Sequence, residues 1–145
     1  HVSGLTQLGI RNVSSTAREG YEDARARGST IRSVRQCRRL GTEGVLDLIP
    51  AGARYYVTID IDGFDPSIAP GTGTPSHGGF LYWEVMEILQ GLAGRGDVVG
   101  IDLVEVAPAY DPSGVTGFLA AQVLLNFLGY VFHARKLRAG ATAGR

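Results

Sequence analysis

A chain of 145 residues is the length of one ordinary domain, and 44% apolar against 19% charged residues is enough to build a core, which excludes a disordered chain. Fourteen basic residues balance fourteen acidic ones, so the charge recommends neither a nucleic acid nor an anionic membrane as partner. The single cysteine, Cys37, excludes an internal disulfide and points to a reducing, cytoplasmic setting.

In chain order, Leu5–Ile10 is a short apolar segment that reads as a strand. Ser14 to Arg27 reads as a helix capped by Ser14 or Ser15 and stopped by Gly28. Thr30–Val34 reads as a second strand. Thr42 is placed to cap a helix running to Ile49, with Glu43 in its first turn and Pro50 and Gly52 ending it. Arg54–Ile61 is rich in β-branched and aromatic residues and predicts a strand. Phe80–Gly94 carries Leu81, Val85, Ile88, Leu89 and Leu92 near helical spacing. Val98–Val106 is nearly continuous in apolar character, as in a strand buried on both faces of a parallel sheet. Gly114–Leu137 predicts a long apolar helix ending in His133, Arg135, Lys136 and Arg138, cations at the negative end of its dipole. The small-residue tail 139–145 predicts disorder, leaving residues 1–138 as the ordered unit. No apolar run is read as reaching the roughly 18–20 residues that span a bilayer, and no secretory signal is read at the N-terminus. The chain starts at His1 rather than methionine, which suggests a processed or partial product.

Strands alternating with helices predict an α/β fold with a parallel sheet, whose ligands gather at the carboxyl ends of the strands. Asp60, Asp62 and Asp65 follow one strand there, and Asp102 and Glu105 lie near the end of the next. Asp60 and Asp62 are two apart, so on a strand they would share a side, and paired carboxylates repel unless a cation lies between them. Turn capping is the alternative for both, since Asp-Gly and Asp-Pro are ordinary turn chemistry. Asp65, before Pro66, reads as a loop organiser. A calcium loop of the EF-hand type is excluded: counted from Asp60, its fifth, sixth and twelfth places hold Phe64, Asp65 and Gly71.

The wider stretch DIDGFDPSIAPGTGTPSHGG (residues 60–79), followed by GIDLVEVAP (residues 100–108), resembles the C-terminal half of the ureohydrolases, the arginases and agmatinases. GIRN at Gly9–Asn12, with the helix EGYEDARARG after it, is similar to the agmatinase-like branch, and the resemblance runs from Leu5 to Leu128. It implies part of a three-layer αβα fold with a mainly parallel sheet. It implies a pair of manganese ions, with Asp60 bridging them and Asp62 completing one coordination sphere. Hard oxygen donors suit manganese or magnesium, and two such ions lower the pKa of a shared water. By the same resemblance Glu105 pairs with a guanidinium and Thr74 hydrogen-bonds near it. The implied reaction hydrolyses agmatine or a guanidino acid to urea and an amine, in a homo-oligomer, a trimer or a hexamer, with no nucleic acid and no membrane as partner. Asp102, three residues before Glu105, would face the other way on a regular strand and takes a supporting place.

The family's upstream motifs, which supply the remaining metal ligands and the proton-shuttle histidine, have no counterpart in this chain, so no catalytic residue is assigned in it. The expectation is a chain that carries part of a binuclear site and is inactive alone. The alternatives are a non-catalytic fragment or subunit acting through fold and oligomer contacts, and an α/β module that binds one magnesium. His77 reads as a surface or substrate-rim residue, His133 as a dipole partner and His1 as too near the end to ligate. Arg32, Arg35, Arg38 and Arg39 read as a solvated face or subunit contact, Cys37 as structural, and Trp83, Tyr55, Tyr56 and Tyr82 as core or interface residues.

Overall fold

The computed structural model of the chain describes residues 2–11 and 17–143, so the cap expected at Ser14 or Ser15 lies outside the described residues. The order is β1 (Thr6–Leu8), α1 (Arg18–Ala26), β2 (Thr30–Arg32), α2 (Val34–Leu46), β3 (Arg54–Asp60), α3 (Tyr82–Arg95), β4 (Asp97–Val104) and α4 (Val115–Ala143). β1 pairs with β2 and β3 with β4, both in parallel, giving two two-stranded sheets among the described residues. Parallel neighbours need a crossover, and α1 and α3 supply it in the two β-α-β units.

The start of α2 differs from the expectation. It begins at Val34, eight residues before Thr42, because Ser33 and Gln36 form a reciprocal capping box: the Ser33 hydroxyl accepts the Gln36 N–H at 3.3 Å and the Gln36 side chain accepts the Ser33 N–H at 2.9 Å. The Thr42 reading holds for the second part of the element, where the helix resumes after a kink. Gly41 (φ +69°) breaks the helical backbone inside α2, and the Thr42 hydroxyl donates to Glu87 on α3 at 2.9 Å.

The core lies on one face of the β3–β4 sheet. Tyr55 and Ile59 of β3 and Val98 of β4 pack there against Met86, Leu89, Leu92 and Ala93 of α3 and Val123, Phe127 and Val131 of α4. Phe127, Val123 and Ile61 are fully buried. Deleting such a side chain typically costs about 2–5 kcal/mol. The opposite face of β3 presents Tyr56, Thr58 and Asp60, all exposed, so period-2 alternation separates an apolar side from a polar one. β4 differs from the expected strand buried on both faces: most of its residues are half-buried, and Val99 and Val104 are exposed.

Two expectations about α4 are corrected. Its helical backbone continues through Ala143 rather than ending near Leu137. The stretch Val115–Ala141 is also long and apolar enough, by length and composition, to cross a membrane. Its charged residues Arg135, Lys136 and Arg138 lie before its last turn rather than at its end. One stripe of the helix (Ala120, Val123, Phe127, Val131, Ala134) is buried in the core, whereas Phe118, Leu125 and Phe132 face outward. A helix apolar all round that packs one stripe into a sheet is the ordinary geometry of a layered α/β fold.

Asp111 organises the entry to α4. Its carboxylate accepts the Thr116 N–H at 2.8 Å and the Ser113 N–H at 3.1 Å, and the Ser113 hydroxyl donates to it at 2.5 Å. These bonds, the Ser113 hydroxyl first, hold its pKa at about 2 against an ordinary 3.8. Asp65 is depressed to about 2 in the same way, by Ser67 and then by the Gly78 and Gly79 N–H groups. A carboxyl with a depressed folded pKa contributes stability that is present above its unfolded pKa and lost as pH falls through the folded one. The thermal midpoint is therefore expected to decline between pH ~4 and pH ~2, more shallowly in Asp111→Asn and in Asp65→Asn. Identical acid limbs in wild type and both variants would remove these two groups as its cause.

Candidate metal and guanidinium site

β3 ends at Asp60, and Ile61–Gly63 form a single 3-10 turn. Ile61 is 0% exposed and plugs the core, while the flanking Asp60 and Asp62 carry carboxylates at the sheet's open end. The premise that both aspartates lie on a strand and share its side is corrected here: the turn, not strand alternation, sets the orientation of Asp62. Its N–H donates to Asp60 Oδ1 at 2.9 Å. The Asp60 carboxyl is raised above the ordinary carboxylate range, first by loss of solvent around it and further by the charge of Asp62, while the Asp62 N–H and the charge of Arg11 oppose the rise. The electrostatics of this turn favour an added positive charge.

The loop that follows closes on itself. Phe64 and Phe80 form a parallel bridge, with Phe80 N–H donating to Gly63 O and Asp65 N–H to Phe80 O, both at 2.9 Å. Asp65 organises the interior of the loop, as the sequence suggested. Its Oδ1 accepts Ser67 N–H at 3.0 Å, and its Oδ2 accepts Gly78 N–H at 2.8 Å and Gly79 N–H at 3.2 Å. A Cβ at Gly79 would lie 2.3 Å from the Phe64 carbonyl carbon, so the closure admits only glycine there.

Within the loop, the hydroxyls of Thr72 and Thr74 donate to the two oxygens of Asp62, one each. Thr74, expected near a guanidinium, therefore bonds to a carboxylate in this structure. Thr72, 3% exposed, is a site residue that sequence reasoning missed. No strand pattern marks it, because residues 72–74 form a bend that turns both hydroxyls onto Asp62. A carboxylate has about four lone-pair positions, so both threonine bonds leave Asp62 able to bind a cation.

Gly71 fixes this loop to the end of the neighbouring strand. Its N–H donates to the Thr116 hydroxyl at 2.8 Å, and its carbonyl accepts Ala107 N–H at 2.8 Å. A Cβ there would lie 2.8 Å from Asp111 Cβ and 2.9 Å from Thr116 Oγ1. One glycine thus holds the threonine loop, the segment after β4 and the start of α4 together.

On β4, Asp60 is the register partner of Val104, so Glu105 follows the strand end beside the aspartate turn. Glu105 has φ +66°, the one non-glycine residue with positive φ among the described residues, and its side chain is exposed. Asp102 lies further back, opposite Thr58, where it accepts the Tyr56 hydroxyl at 2.8 Å and the Thr58 hydroxyl. These two bonds, Thr58 first, lower its pKa. Asp102 is bonded to the polar face of β3, and the geometry gives it no direct contact with Asp60, Asp62 or Glu105 among the described hydrogen bonds.

The remaining residues sort as follows. His77 is exposed in the loop. Arg38 is exposed, as expected of a solvated face, and from there makes a bidentate bridge to Glu84 at 2.7 and 3.0 Å and donates to Gly79 O at 2.9 Å, which ties α2 to the loop's end. Cys37 is 3% exposed, and burial raises its thiol pKa, as befits a structural residue. Tyr55 is in the core, whereas Tyr56 and Trp83 are 66% and 69% exposed.

Asp60 and Asp62 are hard oxygen donors and fit a divalent cation as part of its ligand set. No group of three or more His, Cys, Asp or Glu side chains is placed to hold a metal among the described residues. A complete octahedral set needs donors beyond these two.

Residues 1–129 match the Arginase family. The guanidinobutyrase of Pseudomonas aeruginosa is 38% identical over 127 residues, covering 86% of this chain and 39% of its own length. The mitochondrial agmatinase of Gallus gallus is 37% identical, covering 87% of this chain and 37% of its own. The solved structure of proclavaminate amidinohydrolase from Streptomyces clavuligerus superposes with a TM-score of 0.81 at 36% identity, over 89% of this chain and 43% of that one. The chain spans less than half the length of these relatives. Its parallel β-α-β units, its aspartate turn and its threonine loop are those of part of a three-layer αβα fold, and the chain belongs to the arginase family.

Proposed function

We propose that this chain is the part of a ureohydrolase that supplies two carboxylate ligands to a manganese pair and recognises the guanidinium of the substrate, which is hydrolysed to urea and an amine. The observation that carries the reading is the Asp62 carboxylate, with each oxygen held by a threonine hydroxyl, next to the Asp60 carboxylate at the end of β3. Asp60 and Asp62 would hold the metal, whose chemistry when bound is to activate a water as nucleophile near neutral pH. Thr72 and Thr74 each hold one oxygen of Asp62 and leave it lone pairs for a cation. Glu105, exposed beside the turn, would take the guanidinium through a charge-assisted pair, which Arg-like groups form bidentately with carboxylates. That contact would hold the planar carbon against the nucleophile, and positioning of this kind lowers the barrier by removing orientational freedom. Asp102 would support the strand that carries Asp60 by its bonds to Tyr56 and Thr58. Relatives named for guanidinobutyrate and agmatine support a guanidino substrate. The carboxylate or amine at the substrate's far end is read by residues other than these.

The test follows from ligand number. The 145-residue chain is expected to release no urea from agmatine or guanidino acids in excess manganese, because two carboxylates are a fraction of the set two ions require. Turnover is expected when the chain is joined to the N-terminal part of a relative such as the guanidinobutyrase. Manganese-dependent urea release by a monomeric fraction of the chain alone would overturn the ligand count.

A further inference from the structure

Arg11 follows β1 and reaches across to the aspartate turn. Its Nη2 donates to Ser76 O at 2.8 Å, to Phe64 O at 3.2 Å and to Asp62 O, and its Nε donates to Ser76 O at 3.0 Å. Its Nη1 donates to Gly9 O at 3.3 Å on its own strand end. One half-buried guanidinium thus gathers carbonyls from the beginning of the loop, from its end and from the neighbouring sheet. A planar fork with five donors can do this, and an ammonium on a flexible stem cannot. The same group holds its positive charge near Asp60, Asp62 and Asp65. Every hydrogen bond of the side chain among the described residues goes to a backbone carbonyl, which places it to hold the loop and to act through Asp62.

We propose that Arg11 is the positioning residue of the site: its guanidinium locks the Asp62–Phe64 backbone against Ser76, which sets the direction of the Asp62 carboxylate and keeps the three aspartates together before a cation binds. The affinity part of this inference rests on the metal reading of Asp60 and Asp62; the loop part does not.

The experiment compares the wild-type chain with Arg11→Lys and Arg11→Met, and with Arg38→Met, which also removes an arginine bond to the loop but at Gly79 rather than at Asp62. Three quantities are read: amide hydrogen exchange across residues 62–79, Mn²⁺ affinity from the free-ion EPR signal, and the line shape of bound Mn²⁺. Removing a group that orients a metal ligand typically lowers metal affinity about 10–100-fold. Arg11→Lys and Arg11→Met are expected to speed exchange in the loop by about tenfold or more, to weaken Mn²⁺ by about tenfold and to broaden its signal, while Arg38→Met leaves the Mn²⁺ readouts at wild-type values. Full rescue by Arg11→Lys in all three readouts would show that charge alone suffices and would overturn the proposal, as would unchanged loop exchange in Arg11→Met. If the wild-type chain alone binds no Mn²⁺, the Mn²⁺ readouts are taken on the chain joined to the N-terminal part of the guanidinobutyrase; absence of binding there overturns the metal reading, and loop exchange decides the role of Arg11 in either form.

Discussion

Replacing Asp62 by alanine is expected to abolish turnover in any form of the protein that hydrolyses a guanidino substrate, and to lower its manganese content. The reason is local. Asp62 is the one carboxylate of the turn with both oxygens oriented by hydroxyls, and Ile61 fixes its turn to the core. Alanine removes a ligand that no neighbour can replace, since Asp65 spends its oxygens on Ser67, Gly78 and Gly79. The metal-free stability is expected to change much less, because two effects oppose. Losing the acceptor for the buried Thr72 hydroxyl costs about 1–3 kcal/mol, while removing one of two adjacent negative charges relieves Asp60. The decisive measurement is the thermal shift on adding Mn²⁺, which for a ligand at 100 times its Kd is about 2.7 kcal/mol of extra stability. Wild type should show a shift and Asp62→Ala should show little. Asp62→Asn should resemble alanine, because the NH2 that replaces one carboxylate oxygen cannot accept the second threonine hydroxyl and the amide carries no charge for the ion. A variant with full manganese content and normal turnover would remove Asp62 from the metal site.

The legible parts of this site were those whose chemistry shows in a residue type. β3 and β4 announced themselves through β-branched runs, and the aspartates through their charge. Asp65 was readable as a loop organiser because it precedes Pro66 and leads a glycine-rich stretch. The parts that escaped were set by backbone geometry. Ser33 and Gln36 start α2, but the strand reading of Thr30–Val34 covers Ser33, and Thr42 marks only the part of the helix after Gly41 breaks the backbone. Asp60 and Asp62 were paired by strand periodicity, whereas the chain leaves the strand between them in a 3-10 turn. Arg11 and Thr72 escaped because their work is to bind carbonyls and a carboxylate, and neither type marks a site by itself. The family resemblance supplied Glu105 and Thr74, which composition and spacing could not have singled out.

Glu105 is where function and stability are expected to part. With φ +66° it occupies the left-handed region, which costs a non-glycine residue about 1–2 kcal/mol. Its exposed side chain makes no buried contact that would offset this cost. Two residues later Ala107 N–H is fixed to Gly71 O at 2.8 Å, which anchors the segment that carries Glu105. Strain held in place by its surroundings, at the end of a strand beside two carboxylates, is the pattern of a residue kept for chemistry. Two substitutions separate the effects. Glu105→Gln keeps the shape and the strain but removes the charge, so stability should not move, while activity on guanidino substrates should fall. Losing one charged partner of a desolvated pair typically costs about 2–5 kcal/mol, or roughly one to three and a half decades at 1.4 kcal/mol each. Glu105→Gly should lose at least as much activity yet gain about 0.5–1 kcal/mol of stability, since relief of strain exceeds the extra chain entropy glycine loses on folding. Manganese content should stay near wild type in both, because neither change touches Asp60 or Asp62. Chemical denaturation of the chain reads the first quantity, and kcat/KM of the active form reads the second. A glycine variant no more stable than wild type would remove the strain from the account, and a glutamine variant with unchanged kcat/KM would remove Glu105 from the guanidinium pocket.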